Sequence, residues 1–218
     1  MGSIIQNAAN NIGANGVFSS SALNNASLSG ITALPSGVGG KLKLISTQTA
    51  SGSASIEFTS GIDSTYDVYQ FNFINIHPSI DNVDLTINFS TDGGSNYNVT
   101  KTSTFFWSYH DEADTTAQLG YASSNDLAQG TGNQPISSNP GFDNDQATSG
   151  YLHLFNPSST TYVKHFISTS NSTEPADYSV NSFSAGYGNT TSAINAVRFS
   201  FESGNIDAGT IKMYGISA

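Results

Sequence analysis

Few side chains in this sequence belong to types that do acid–base or metal chemistry, so each group can be weighed by its spacing. The densest titratable cluster is His110, Asp111, Glu112 and Asp114, a set able to pair an acid with a base or to hold a cation. It stands at the start of a long polar stretch, where a charge run is normally a solvated loop. Asp143-Asn144-Asp145 offers oxygen ligands at alternate positions, as in part of a calcium loop. The Gly and the distal Glu of the helix-loop-helix calcium site are missing. His153 and His165 fall on neighbouring expected strands, either as facing metal ligands or, the safer expectation, as satisfied structural histidines. Trp107, Tyr109, Tyr121 and Phe142 would make an aromatic platform for sugar rings, with Asn and Asp accepting hydroxyl hydrogens. The competing reading is that Phe105 to Tyr109 completes the core or an interface.

The sequence shows no G-x-S-x-G elbow, phosphate loop, H-E-x-x-H or G-x-G-x-x-G after a strand. With no Cys, disulfides and thiolate zinc sites are excluded. We therefore expect no cofactor, no metal and no catalytic residue. A glycan-degrading enzyme would need two inward carboxylates at a suitable separation, which a sequence cannot place.

Six basic residues against sixteen acidic ones leave a net charge of −10 over 218 residues. Nucleic acid and anionic membrane surfaces are disfavoured as partners, because phosphate contact needs a basic patch. No apolar run reaches the roughly 18 residues of a membrane helix, and a basic-then-apolar secretory leader is not apparent.

These residues must be positioned by strands. Val83, Leu85, Ile87 and Phe89 alternate with Asp84, Thr86 and Asn88, which predicts a half-buried strand. Asp92-Gly93-Gly94 supplies φ > 0 positions for a tight reversal, so Tyr97 onward is expected to return as the antiparallel partner. Upstream, Tyr69, Phe71 and Phe73 would face one way and Val68, Ile74 and Ile76 the other, until Pro78 ends the strand. Further strands are expected around Leu42 to Thr47, Ala54 to Thr59, Gly150 to Phe155, Thr161 to Thr169, Tyr178 to Tyr187, Val197 to Phe201 and Thr210 to Ile216. Residues 111–149 lose period and read as a long functional loop with one short strand at Gln118 to Ala122. Nine or ten short strands with almost no helix signal predict an all-β, antiparallel two-sheet β-sandwich, jelly-roll-like, over residues 41–218. Residues 1–40 are small, polar and Gly-punctuated, with a short helix at most over Val17 to Leu28. They read as an extended N-terminal arm that docks on a partner through Phe18, Leu23, Leu28, Ile31 and Leu34.

Several phrases carry a resemblance: LISTQTASGSASIEFTSGIDSTY from Leu44, FNFINIHPSIDNV from Phe71, STDGGSNYNVTKT from Ser90, YLHLFNPSSTTYVKHF from Tyr151 and INAVRFSFESGNIDAGTIKMYGI from Ile194. Together with NASLSGITALP from Asn25, they resemble virion structural proteins of tailed bacteriophages, decoration or fibre-like, of the marine and cyanophage type. The resemblance is one of whole strands and turns and transfers no active-site residue. It implies a β-sandwich on the surface of a phage particle, bound to capsid or tail proteins through the arm. The leading expectation is a capsid-surface decoration (cement) protein that stabilises the head, associated as a homotrimer and not an enzyme. The alternative is a short tail fibre or receptor-binding module for a host-surface glycan.

Overall fold

The computed structural model describes residues 41–216. The arm, its short helix and its docking candidates Phe18, Leu23, Leu28, Ile31 and Leu34 lie outside the described residues. Among the described residues there is no helix. Twelve strands form: β1 (Leu42–Thr49), β2 (Ile56–Phe58), β3 (Val68–Pro78), β4 (Leu85–Ser90), β5 (Lys101–Asp111), β6 (Ala117–Tyr121), β7 (Gln134–Pro135), β8 (Thr148–Phe155), β9 (Lys164–Thr173), β10 (Tyr178–Gly188), β11 (Ala196–Phe201) and β12 (Ile206–Ile216).

Eight strands make one antiparallel sheet in the order β1-β12-β3-β8-β9-β10-β5-β6, and four make a second in the order β2-β11-β4-β7. The nested pairs β1 with β12, β2 with β11, β3 with β8 and β4 with β7 are those of one long hairpin folded over on itself, the jelly roll. The strands β9, β10, β5 and β6 extend the first sheet past the edge of the second. Inward-facing aromatic side chains fill the space between the sheets. The ring centroids of Phe58 and Phe71 lie 5.3 Å apart, those of Phe71 and Phe199 5.6 Å and those of Phe89 and Phe166 5.5 Å, mostly edge to face as ring quadrupoles prefer.

Phe89 of the small sheet still reaches β9, and the rest of the inner face of the extension is covered by the chain between β6 and β8, which includes β7. A loop does not pair its own backbone groups, so it must find partners elsewhere. Buried serines supply them. Ser170 Oγ donates to the Ile136 carbonyl at 2.7 Å, and Ser103 Oγ accepts the Leu127 N–H at 2.9 Å. Ser137 Oγ accepts the Leu85 N–H at 2.7 Å.

Four local expectations change. The strand expected to be half-buried is buried on both faces, with Thr86 only 1% and Asn88 2% exposed. The covering loop reaches it: Asn88 Nδ2 donates to the Thr131 carbonyl at 3.2 Å. The reversal at Asp92-Gly93-Gly94 does form, with φ of 75° and 91° at the two glycines, but β5 does not pair with β4. It lies between β10 and β6 in the other sheet, because residues 91–100 are long enough to cross between sheets while Asp92 fixes only the start of the turn. Ile76 belongs to the inner set with Phe73. Asn75, at φ 50°, breaks the β3–β8 register between Phe73 and Ile76 and turns Ile76 inward, leaving Ile74 on the outer side. The long loop also holds more than expected, since Gln134–Pro135 forms a buried strand of the small sheet and Ile136 is fully buried.

Candidate functional site

Strand alternation places one set of side chains between the sheets and the other on the outer face of the eight-stranded sheet. Reading the registers across, Leu44, Tyr214, Gln70, His153, Ile167 and Ala185 stand in one row. A second row holds Lys212, Asn72, Tyr151, Thr169, Phe183 and Phe106, and ends on Tyr121. Leu42, Ile216 and Val68 begin a third. Among the described residues, eleven large apolar side chains are exposed, and all but Ile80, Phe142 and Tyr162 stand on this face. Leu44 is 51% and Ile167 48% exposed. Exposed apolar side chains gathered on one face in this number mark an interaction site.

The four aromatics expected to form a platform do not share a face. Trp107 and Tyr109 project to the inner side of β5, their rings stacked at 5.2 Å, and Tyr178 extends the row with its ring 5.2 Å from Tyr109. Trp107 lies over Gly120, where a Cβ would meet its ring at 3.1 Å. Tyr121 pairs with Phe106 on the outer side, and its hydroxyl donates to Asp126. Phe142 sits on a separate loop, its N–H bonded to Asp81 at 3.0 Å. The outer aromatics are instead Phe106 and Phe183, stacked at 4.8 Å, with Tyr121 and Tyr151. A period of two carries this separation, since odd and even positions of β5 face opposite ways.

The titratable groups serve the fold. Asp111 caps the turn after β5: its carboxylate accepts the Thr115 hydroxyl and the N–H groups of Thr115 and Thr116, the latter two at 2.9 and 2.8 Å. These bonds hold its pKa below the usual carboxylate range. His110 Nε2 stands 3.1 Å from Asp114 at the exposed tip. His153 Nε2 is 2.9 Å from Gln70 Oε1, and burial pushes its pKa down. The His165 ring lies instead by Tyr187, at 6.1 Å. The Asp143 carbonyl accepts from His77 Nε2 at 3.1 Å, beside a cleft of about 420 Å³ lined by Asn75, Asn144, Asp145 and Asp207. Among the described residues no three His, Asp or Glu side chains converge as metal ligands.

Three buried charges escaped the sequence reading: Lys164, whose Nζ donates to the Tyr162 and Thr190 carbonyls at 2.9 and 3.1 Å, and two more under the covering loop. Asp84, 6% exposed, ties down the covering loop: Oδ1 accepts the Asn139 N–H at 2.7 Å and Oδ2 accepts from Asn125 Nδ2. Burial, reinforced by Glu202 and Glu174, pushes its pKa up to about 7. Lys101 is fully buried and donates from Nζ to Asn88 Oδ1 at 2.7 Å and to the Val99 carbonyl at 2.8 Å, with burial pulling its pKa down to about 8. Neither could be found from alternation alone, because what buries them is a loop distant in sequence. No protein-family model, curated protein or solved structure matches the chain.

Proposed function

We propose that this chain is a structural protein of a tailed-phage particle, a decoration protein on the capsid surface whose residues 1–40 attach it and whose sandwich makes lateral contacts. The observation that carries this reading is the outer face of the large sheet, where eight exposed apolar side chains stand on an otherwise acidic domain. Such a face is built to be covered. The jelly-roll topology supports it at the level of analogy, since this architecture recurs in capsid and lectin domains. The buried charges support a structural role over a catalytic one, because both oxygens of Asp84 are committed to the loop.

A receptor-binding module is the second reading. Tyr151, Phe106 and Tyr121 are exposed on the same face beside Asn72 and Thr169, so flat rings and hydroxyl partners are available to a host glycan. Quantitative mass spectrometry of purified particles tests both. Hundreds of copies per particle fit decoration, a handful fit a tail fibre, and absence from particles refutes the proposal. Particles carrying the chain without residues 1–40 are expected to lose it.

A further inference from the structure

We propose that the outer face of the eight-stranded sheet packs against the same face of a second copy of this chain, around a twofold axis close to His153 and Ile167. The inference deepens the assembly role proposed above, and rests on it, by naming what covers the face.

Side-chain chemistry argues for a protein surface. Leu42, Leu44, Ile74, Ile167 and Leu119 are exposed beside the aromatics, and branched aliphatic side chains offer a sugar neither a flat ring nor a hydrogen bond. They do suit the apolar centre of a protein interface.

Charge argues for a copy of the same chain. All sixteen acidic and six basic residues lie beyond residue 40, so two described domains repel each other with a net charge of −10 apiece. Yet the three rows that cross the face contain no Asp or Glu, and Lys212 is their one permanent charge. Like charges facing each other across an interface cost several kcal/mol. With Asp126 only at its edge, on the Tyr121 hydroxyl, this face of so acidic a domain is a place where two copies meet with little of that cost.

Area and position agree with this. Eight strands at about 4.8 Å spacing span roughly 34 Å, and three rows of outward residues cover roughly 20 Å along the strands. The resulting ~700 Å² per copy is close to the ~800 Å² per partner of a standard stable interface. The fourth and fifth strands of the eight are β8 and β9, so the centre of the face lies between them, where His153 is paired with Ile167. A patch that covers itself closes around a twofold axis, which makes the assembly even-numbered in place of the trimer expected from the sequence.

The test is sedimentation velocity of the full chain at micromolar concentration, alongside Ile167→Asp, Leu44→Asp and, as a control away from the face, Ser203→Asp. Wild type and Ser203→Asp are expected at twice the chain mass. Ile167→Asp should bring two unpaired carboxylates together near the axis and weaken association by 100-fold or more, giving monomer with an unchanged circular dichroism spectrum. Leu44→Asp lies on an exposed edge strand, so it keeps the test decisive if Ile167→Asp fails to fold. A monomeric wild type would overturn the inference, as when residues 1–40 of the same chain or a glycan cover the face. A trimer, or a dimer that survives both substitutions, would overturn it too. Particle composition is measured separately, so a chain absent from virions would refute the functional proposal and leave this result standing.

Discussion

Asp84→Asn should remove a pH dependence that this protein carries because a carboxyl group is buried without a cationic partner. In the folded chain the Asp84 pKa is about 7, against an ordinary 3.8. A raised acid pKa means that, as pH climbs from about 4 to 7, the unfolded chain gives up its proton before the folded one does. The folded state then binds more protons, so the contribution of Asp84 is most favourable below the unfolded pKa and is lost as pH rises through the folded value. Three pKa units at ~1.4 kcal/mol each set a ceiling of roughly 4 kcal/mol. The amide keeps an acceptor for the Asn139 N–H but turns a donor toward Asn125 Nδ2, or exchanges the two, which costs about 1 kcal/mol or more. The net expectation is a variant more stable than wild type by about 1–3 kcal/mol at pH 8, the advantage vanishing or reversing near pH 4. Urea unfolding of both proteins from pH 4 to 8.5 measures it, and the carboxylates that do not couple to Asp84, all but Glu202 and Glu174, cancel in the difference. A stability difference that does not change with pH would refute the assignment of Asp84 as a buried group titrating near neutrality.

Lys101 gives the mirror case. Its pKa is lowered to about 8 from 10.5, so the folded chain loses this proton first and stability gains from pH 8 to 10.5. Lys101→Met should flatten that rise in a denaturant series, at the cost of leaving Asn88 Oδ1 and the Val99 carbonyl without their donor. The two turn glycines should differ. Gly94→Val forces a Cβ to within 2.8 Å of Thr59 and 3.0 Å of the Tyr97 hydroxyl at φ 91°, whereas a Cβ at Gly93 meets nothing within 4 Å. Thermal unfolding should therefore show a loss toward ~3 kcal/mol for Gly94→Val and nearer ~1 kcal/mol, from backbone strain alone, for Gly93→Val. Equal losses would mean that strain and not crowding sets the cost.

Alternation along the chain was enough to determine the all-β class, most strand positions and the turn at Asp92-Gly93-Gly94, because each rests on neighbours within a few residues. Tyr69, Phe71 and Phe73 face the core as their spacing requires, and Val197, Phe199 and Phe201 do the same from the opposite sheet. Which strand pairs with which was not local. Lys101–Asp111 follows a turn suited to a hairpin, yet it joins a different sheet from β4, since the pairing that wins buries the most surface over the whole chain. Asp84, Thr86 and Asn88 have the polar alternation of a solvated face and are buried by a loop more than forty residues downstream. The apolar outer face is also a tertiary fact. Leu44, Ile167 and Phe106 are far apart in sequence and look like core residues there. Only the strand order shows that the small sheet and the chain between β6 and β8 cover the other side of these strands and leave this one open.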